Sequence, residues 1–306
     1  MKKVTTYLPS LILSIILVLC FTASIAVIIV DINITEKNAV ALTEKKELAS
    51  KSMSQIEKSF KEKSGSTGIP ASVYTDAIDD EYLNEVIEIY ITHAFKLFTA
   101  PELGSGYDPT VPNSKLESSI DAFFNEQAEK NDYEKDEVFM KKLEATKNNA
   151  YKIIGNNCDV YKLSSLYNHG AMPKISKLYK MRPLLTFAST GVVVLLILFL
   201  LAINRKDKKV FLYWTGISAI ISGVIGTVPS AYLLATKYFN AFSIKQPQVF
   251  AAYTGAMYKI TEAFMAASIA LIVVGISVIV LYAVFCSKNK ITEQKMEVIN
   301  SSESDK

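Results

Sequence analysis

The stretch KISKLYKMRPLLTFASTGVVVLLILFLLAI, residues 174–203, joins two opposite chemistries without a break. Lys174, Lys177, Lys180 and Arg182 stand in its first third with no acid among them, and from Leu184 to Ile203 there is no charge at all. Twenty uncharged residues in a helix rise about 30 Å, the thickness of a bilayer's hydrocarbon core, so the second part reads as a membrane span. The first part reads as the basic collar that normally marks a cytoplasmic face. Together they decide the fold, because the polar segment upstream must lie on whichever side of the membrane the collar marks.

Half of the 306 residues are hydrophobic, but they are gathered into blocks. Besides 184–203, the runs Leu8 to Val30, Val210 to Ala235 and Phe264 to Phe285 carry no charge and are each long enough to span. The first run also follows Met1, Lys2 and Lys3, as a secretory signal would. A signal's apolar region ends after about 7–15 residues, whereas this one passes the small-residue site Ser24-Ile25-Ala26 and continues to Val30. Leu19, just before Cys20, is too bulky for lipoprotein cleavage, so the run reads as a permanent anchor. The expected architecture is all-α: four transmembrane helices with a helical extracytoplasmic domain inserted between spans 1 and 2. The boundaries are 1–31 for the N-terminus and first span, 32–182 for the domain, 183–286 for spans 2–4 and 287–306 for a disordered cytoplasmic tail.

Orientation is contested within the sequence. Lys2 and Lys3 before span 1 and Asp31 after it favour a cytoplasmic N-terminus, as do Arg205, Lys206, Lys208 and Lys209 in the short connector and Lys288 and Lys290 in the tail. The collar at 174–182 argues the other way. Short loops carry more topological weight than long domains, so both termini are expected inside and the large domain outside the cytoplasm. Three cysteines are too few for a disulfide framework; Cys20 and Cys286 lie in or beside spans, leaving Cys158 alone. A domain outside the cytoplasm that does without disulfides fits a Gram-positive cell surface.

Between the first two spans, apolar residues recur at helical spacing. Ala49, Met53, Ile56 and Phe60 form one stripe, ending in a loop from Ser64 to Pro70. Leu83, Val86, Ile87, Tyr90, Ala94 and Phe98 form a second, opened by Asp79 or Asp80 as cap and closed by Pro101, Gly104 and Gly106. Ile120, Phe123 and Phe124 follow the capping-box pattern Ser114-Lys115-Leu116-Glu117, and Phe139, Leu143, Thr146, Ala150 and Ile154 form a fourth stripe stopped by Gly155 and Asn156. From Asp31 to Pro173 acids outnumber bases by about eight, so the domain is an acidic bundle on a basic foot. The foot, Lys174, Lys177, Lys180 and Arg182, is a lipid or partner contact: each lysine beside an anionic membrane surface contributes on the order of 1 kcal/mol, and an acidic partner would use the same charges.

Catalytic patterns are sparse. His93, Cys158 and Arg182 occur in the order that sortases use, and that similarity implies a surface enzyme with Cys158 as nucleophile; His169 is a second base candidate. Sortases are β-barrels with a Thr-rich strand before the cysteine, whereas Asn156-Asn157-Cys158-Asp159 follows a helix, so Cys158 is expected to be an incidental loop cysteine. Two histidines 76 positions apart make no zinc pattern. The acidic run Asp76, Asp79, Asp80, Glu81, Glu85 and Glu88 lacks the glycine loop of a calcium site and reads as a solvated helix face. No phosphate-cradling glycine motif occurs, and neither a cofactor nor nucleic acid is expected.

In the third span, Ser218, Ser222, Gly226 and Ser230 recur every four residues beside Gly223 and Thr227, which predicts a helix-packing face, with Pro229 permitting a kink. A solute path along this face is the alternative, but no ionisable side chain lies within the four cores. One span, a large outer domain and three spans resembles the topology of FtsX-like and MacB-like permease subunits, though this chain has no long cytoplasmic segment before span 1 and only six residues between spans 2 and 3. The turn Gly68-Ile69-Pro70-Ala71-Ser72-Val73 after a Lys/Glu-rich helix is similar to four-span membrane proteins, of uncharacterised role, in low-GC Gram-positive bacteria. The resulting expectation is a non-enzymatic envelope protein whose outer domain binds a membrane or cell-surface partner, with membrane lipids around its spans and an oligomer allowed. A transporter or permease subunit is the alternative, and a Cys158 enzyme the third reading.

Overall fold

The computed structural model describes residues 4–100 and 109–304, with side chains from Thr6 through Ser287, and every regular element among them is helical. In chain order these are α1 (Val4–Asn33), α2 (Glu36–Lys45), α3 (Leu48–Thr67), α4 (Ser72–Thr75), α5 (Asp80–Thr99), α6 (Ser114–Lys130), α7 (Glu137–Cys158), α8 (Leu163–Asn168), α9 (Met172–Ile203), α10 (Val210–Ala235) and α11 (Pro247–Ser304), with a 3-10 turn at Tyr238–Ala241. Four of them, α1, α9, α10 and α11, are long and apolar enough to cross a membrane. Lys2, Lys3, Pro101, Gly104, Gly106 and the side chains of Lys288 and Lys290, invoked above, lie outside what is described.

The chain divides into two compact units. A helical unit contains Ile34–Met181 and Phe239–Met257; a membrane unit contains the chain up to Asn33, Arg182–Tyr238, and the chain from Tyr258 onward. Residues 239–257 therefore depart from the expected grouping, which assigned them to the membrane spans. Their reason is packing: Ala252 is fully buried in the helical unit's core, Gln248 donates to Asn157 O at 3.4 Å, and Tyr253 donates to Tyr161 O at 2.8 Å.

The core of the helical unit is made by the stripes of α3, α5, α6 and α7. Leu48, Ile56, Leu83, Ile87, Leu116, Ile120, Ile154 and Cys158 are all sealed from solvent. Several element boundaries differ from the sequence expectation, each for a local reason. Helix α3 runs on to Thr67, and Gly68 closes it at φ 71°, a left-handed conformation that glycine adopts at no steric cost. Asn113, not Ser114, caps α6, accepting from Leu116 N at 3.0 Å. Gly155 does not stop α7 but lies inside it, because a Cβ there would collide with the Tyr90 hydroxyl of α5. Asp79 caps α5 as expected, accepting from Tyr82 N at 2.9 Å, and this bond holds its carboxyl below the usual range.

Helix α9 contains two prolines, Pro173 and Pro183. The helix begins at Met172, so Pro173 occupies the first turn where a missing N–H is harmless, and Pro183 falls well inside. Helix α11 begins at Pro247, upstream of the expected Phe264, and runs to Ser304, so the segment from 287 expected to be disordered is helical as far as it is described.

Candidate functional site

The collar separates into two kinds of residue. Lys174, Lys177 and Lys180 are exposed on α9 within the helical unit, and none forms an ion pair among the described residues. Arg182 belongs to the membrane unit and is half-buried, with Nε 3.9 Å from Asp31 Oδ1 at the end of α1 and a further bond from its guanidinium to Asp31 O. Thr186 donates to the other carboxylate oxygen at 3.1 Å. The sequence shows no acid near Arg182; the fold brings one from 151 positions away. Arg182 is thereby a clasp between α1 and α9, and the lysines remain the solvent-facing part of the foot.

The small residues of α10 serve two neighbours. Ser218 donates to Ser14 O on α1 at 3.0 Å and shares a 2.9 Å bond with Ser14 Oγ, and Ser222 meets Thr22 of α1 at 2.9 Å. Gly223 and Gly226 lie against α11, where Ser268 O and the Ser268 side chain fill the space a Cβ would need. Ser230 turns back to Gly226 O at 2.8 Å. Gly216 and Gly275, not singled out from the sequence, make a further close approach of α10 to α11: a Cβ on Gly275 would lie 2.8 Å from Gly216 O. The signal was present as Gly216 one turn before Ile220, but only the partner helix shows what it admits. At one end of the unit Tyr7, Trp214, Tyr213 and Tyr282 form a chain of ring contacts at 5.4–5.5 Å across α1, α10 and α11. Val210, which follows the basic connector Asn204–Lys209, packs close to these rings in the cluster around Trp214.

The three residues that invited comparison with sortases are put to other uses. Cys158 is fully buried at the end of α7, and burial pushes its thiol well above the range in which a thiolate forms. Arg182 is engaged with Asp31. His93 is half-buried on α5, and burial, aided by nearby Lys96, lowers its tendency to protonate. His169 lies exposed after α8, its Nδ1 2.6 Å from Ser165 O. Among the described residues, no three His, Cys, Asp or Glu side chains gather as metal ligands.

The helical unit does contain a cavity of about 920 Å³ between α6 and α7, near the turn that follows α3. Its floor is aromatic: Phe123, Phe124 and Phe139 meet edge to face at 5.9–6.1 Å, with Ile69 beside them. Its rim is the α6–α7 connection, where Tyr133 is 65% and Val138 56% exposed. The connection is shaped by Asp132, held at φ 51°, and by Asp136, which caps α7 by accepting from Phe139 N at 2.8 Å. That cap places the Phe139 ring over the cleft. Phe123, Phe124 and Phe139 read as core positions in the sequence, but the α6 and α7 stripes diverge here and leave them half-buried. A cleft of this volume with an aromatic floor suits an apolar ligand group, and Glu134, Asp136 and Lys142 are also among its lining residues.

A comparison of this chain with protein-family models, with curated proteins and with solved structures finds no match.

Proposed function

We propose that this chain is a binding protein of the cell envelope, held in the membrane by four helices, whose helical unit faces away from the cytoplasm and receives an apolar segment of a neighbouring envelope protein. The observation that carries the binding role is the aromatic cleft between α6 and α7, with Tyr133 and Val138 standing exposed at its rim. Large apolar groups exposed together at a concave site are what partner recognition uses, through a few deeply seated side chains. The orientation is supported by Arg205, Lys206 and Lys208, exposed in the short connector that leads into the end of the membrane unit ringed by Tyr7, Tyr213, Trp214 and Tyr282. Basic loops and aromatic side chains of this kind mark the cytoplasmic boundary. Sealed Cys158 and the absence of a ligand cluster among the described residues favour binding over catalysis as the working role.

The test places a photo-crosslinking residue at Tyr133 in living cells and repeats it with Phe139→Asp. A discrete protein adduct that disappears with the Phe139 change supports the reading. An adduct indifferent to Phe139, or none, overturns it. Orientation is read separately with an impermeant thiol reagent on Asn131→Cys and Lys208→Cys, each in a chain whose Cys20 and Cys286 are serine. Labelling of position 131 alone is expected, and labelling of 208 alone inverts the topology.

A further inference from the structure

A second cavity in the helical unit, about 570 Å³, has the opposite chemistry to the aromatic cleft. Among its twelve lining residues Ile153 is the sole apolar one; the others come from α3, the end of α7, α8 and the approach to α11. Such a wall suits a polar ligand better than an apolar one, and its one ring is the imidazole of His169. What it collects is donors: the ammonium groups of Lys63 and Lys162, the hydroxyl of Ser165, and the amides of Asn156, Asn168 and Gln246.

The cationic character is built by the loop between α7 and α8. Asp159, 2% exposed, is fully committed: it accepts from Leu163 N and Ser164 N at 2.9 Å each and from the Ser164 hydroxyl. Its carboxylate is engaged by the loop's own donors, and Glu62 is the one acid among the lining residues, against two lysines. Lys162 sits at φ 51°, a backbone conformation that costs a residue with a Cβ about 1 kcal/mol, and its Nζ donates to Asn156 O at 2.6 Å. An ammonium has three donor hydrogens, so two remain. Burial depresses Lys162's proton affinity while nearby Asp159 supports it. In a domain with about eight excess acids, this lining has two lysines and one acid.

We propose that this cavity binds a phosphoryl group, with Lys63 and Lys162 as the charged contacts and Ser165, Asn168 and Gln246 as neutral donors. Lysine acts as a point charge toward phosphate, and charge-assisted hydrogen bonds are about twice as strong as neutral ones. The site is independent of the aromatic cleft, so neither reading fails with the other. The test titrates inorganic phosphate and sn-glycerol 3-phosphate into the detergent-purified full chain, followed by phosphorus NMR line broadening. Saturable binding is expected, weakened about tenfold by Lys63→Gln, more by adding Lys162→Asn, and untouched by Lys115→Gln on α6. Asparagine is chosen at 162 because it tolerates the left-handed backbone, and Lys63 is exposed, so its change leaves the fold alone. Repeating the titration in phosphatidylcholine nanodiscs with and without phosphatidylglycerol identifies the source. Suppression by phosphatidylglycerol assigns the site to a lipid headgroup, lack of suppression assigns it to a soluble phosphate, and both support the site. No binding at millimolar phosphate, or binding unchanged in the Lys63→Gln/Lys162→Asn chain, overturns it.

Discussion

In the helical unit the residues with no solvent exposure include Leu48, Ile56, Leu83 and Ile87; in the membrane unit Ser10 and Ser218 are just as fully covered, while Phe187 leaves 81% of its surface open. One chain thus builds two interiors by opposite rules. Where water surrounds the fold, each buried large side chain contributes about 1.5–3 kcal/mol, so Phe60, Leu83 and Ile87 go inside. Where lipid surrounds it, a leucine gains nothing by moving inward, and the interior goes to groups that let backbones approach or that need a hydrogen-bond partner. Leu17 and Leu200, buried around Trp214, qualify the contrast without removing it. The units also differ in their polar groups: the membrane unit pairs hydroxyls with one another across helices, while buried hydroxyls of the helical unit reach backbone carbonyls, Ser52 to Asn157 O and Ser176 to Phe98 O, and Asp159 closes a loop.

The sharpest way to break this contrast is to remove the same amount of side chain from each unit, at a buried position in one and an open position in the other. Phe60 is 2% exposed and stacks on Tyr74 with ring centroids 4.2 Å apart, so Phe60→Ala should lower stability by about 3–5 kcal/mol in chemical denaturation of the detergent-solubilised chain. Phe187→Ala removes the same atoms from a ring that touches little within the protein, and should change stability by about 0.5 kcal/mol or less. Equal losses at the two positions would mean that Phe187 is covered by something the isolated chain lacks.

Glycine provides the next test, because two glycines in helices should respond with opposite sign. Gly275→Val drives a side chain into Gly216 O and Ile220, and should cost about 1–3 kcal/mol by overpacking, read as a lower unfolding midpoint. Gly65, near the end of α3, has nothing within 4 Å of a built Cβ, so Gly65→Ala should raise stability by about 0.5–1 kcal/mol. A destabilising Gly65→Ala would show that α3 does not continue to Thr67 in solution.

Most of the helices were legible in the sequence, and the reason is periodicity. The stripes at Ala49–Phe60, Leu83–Phe98 and Phe139–Ile154 report their own burial, and the uncharged runs report their length. What was not legible depends on partners distant in the chain. Nothing local marks 239–257 as belonging to the helical unit, since its attachment runs through Asn157 and Tyr161, about ninety positions earlier. Arg182 reads as one more collar charge until Asp31 is brought beside it. The two cavities were invisible for a related reason: Phe123, Phe124 and Phe139 carry the same periodic signal whether helices α6 and α7 meet over them or diverge. Lys63 and Lys162 are ordinary surface lysines in sequence, and only the fold of the α7–α8 loop sets them on one wall.

A comparably small effect concerns the hydroxyl pairs. Ser218 has one hydroxyl hydrogen and gives it to Ser14 O at 3.0 Å, so the 2.9 Å contact between the two hydroxyls must be donated by Ser14. Ser218→Ala therefore removes two bonds and Ser14→Ala one, and the first should cost more. The coupling energy from the double-mutant cycle, measured by denaturant unfolding in mixed micelles, should be about 0.6 kcal/mol. The value is small because a serine on a separated helix is not stranded: it turns back to the carbonyl four residues earlier, as Ser230 already does to Gly226. A coupling several times larger would mean that Ser14 and Ser218 lack this refuge, and the hydroxyl pairs, not the glycine contact with α11, would then set the position of α10.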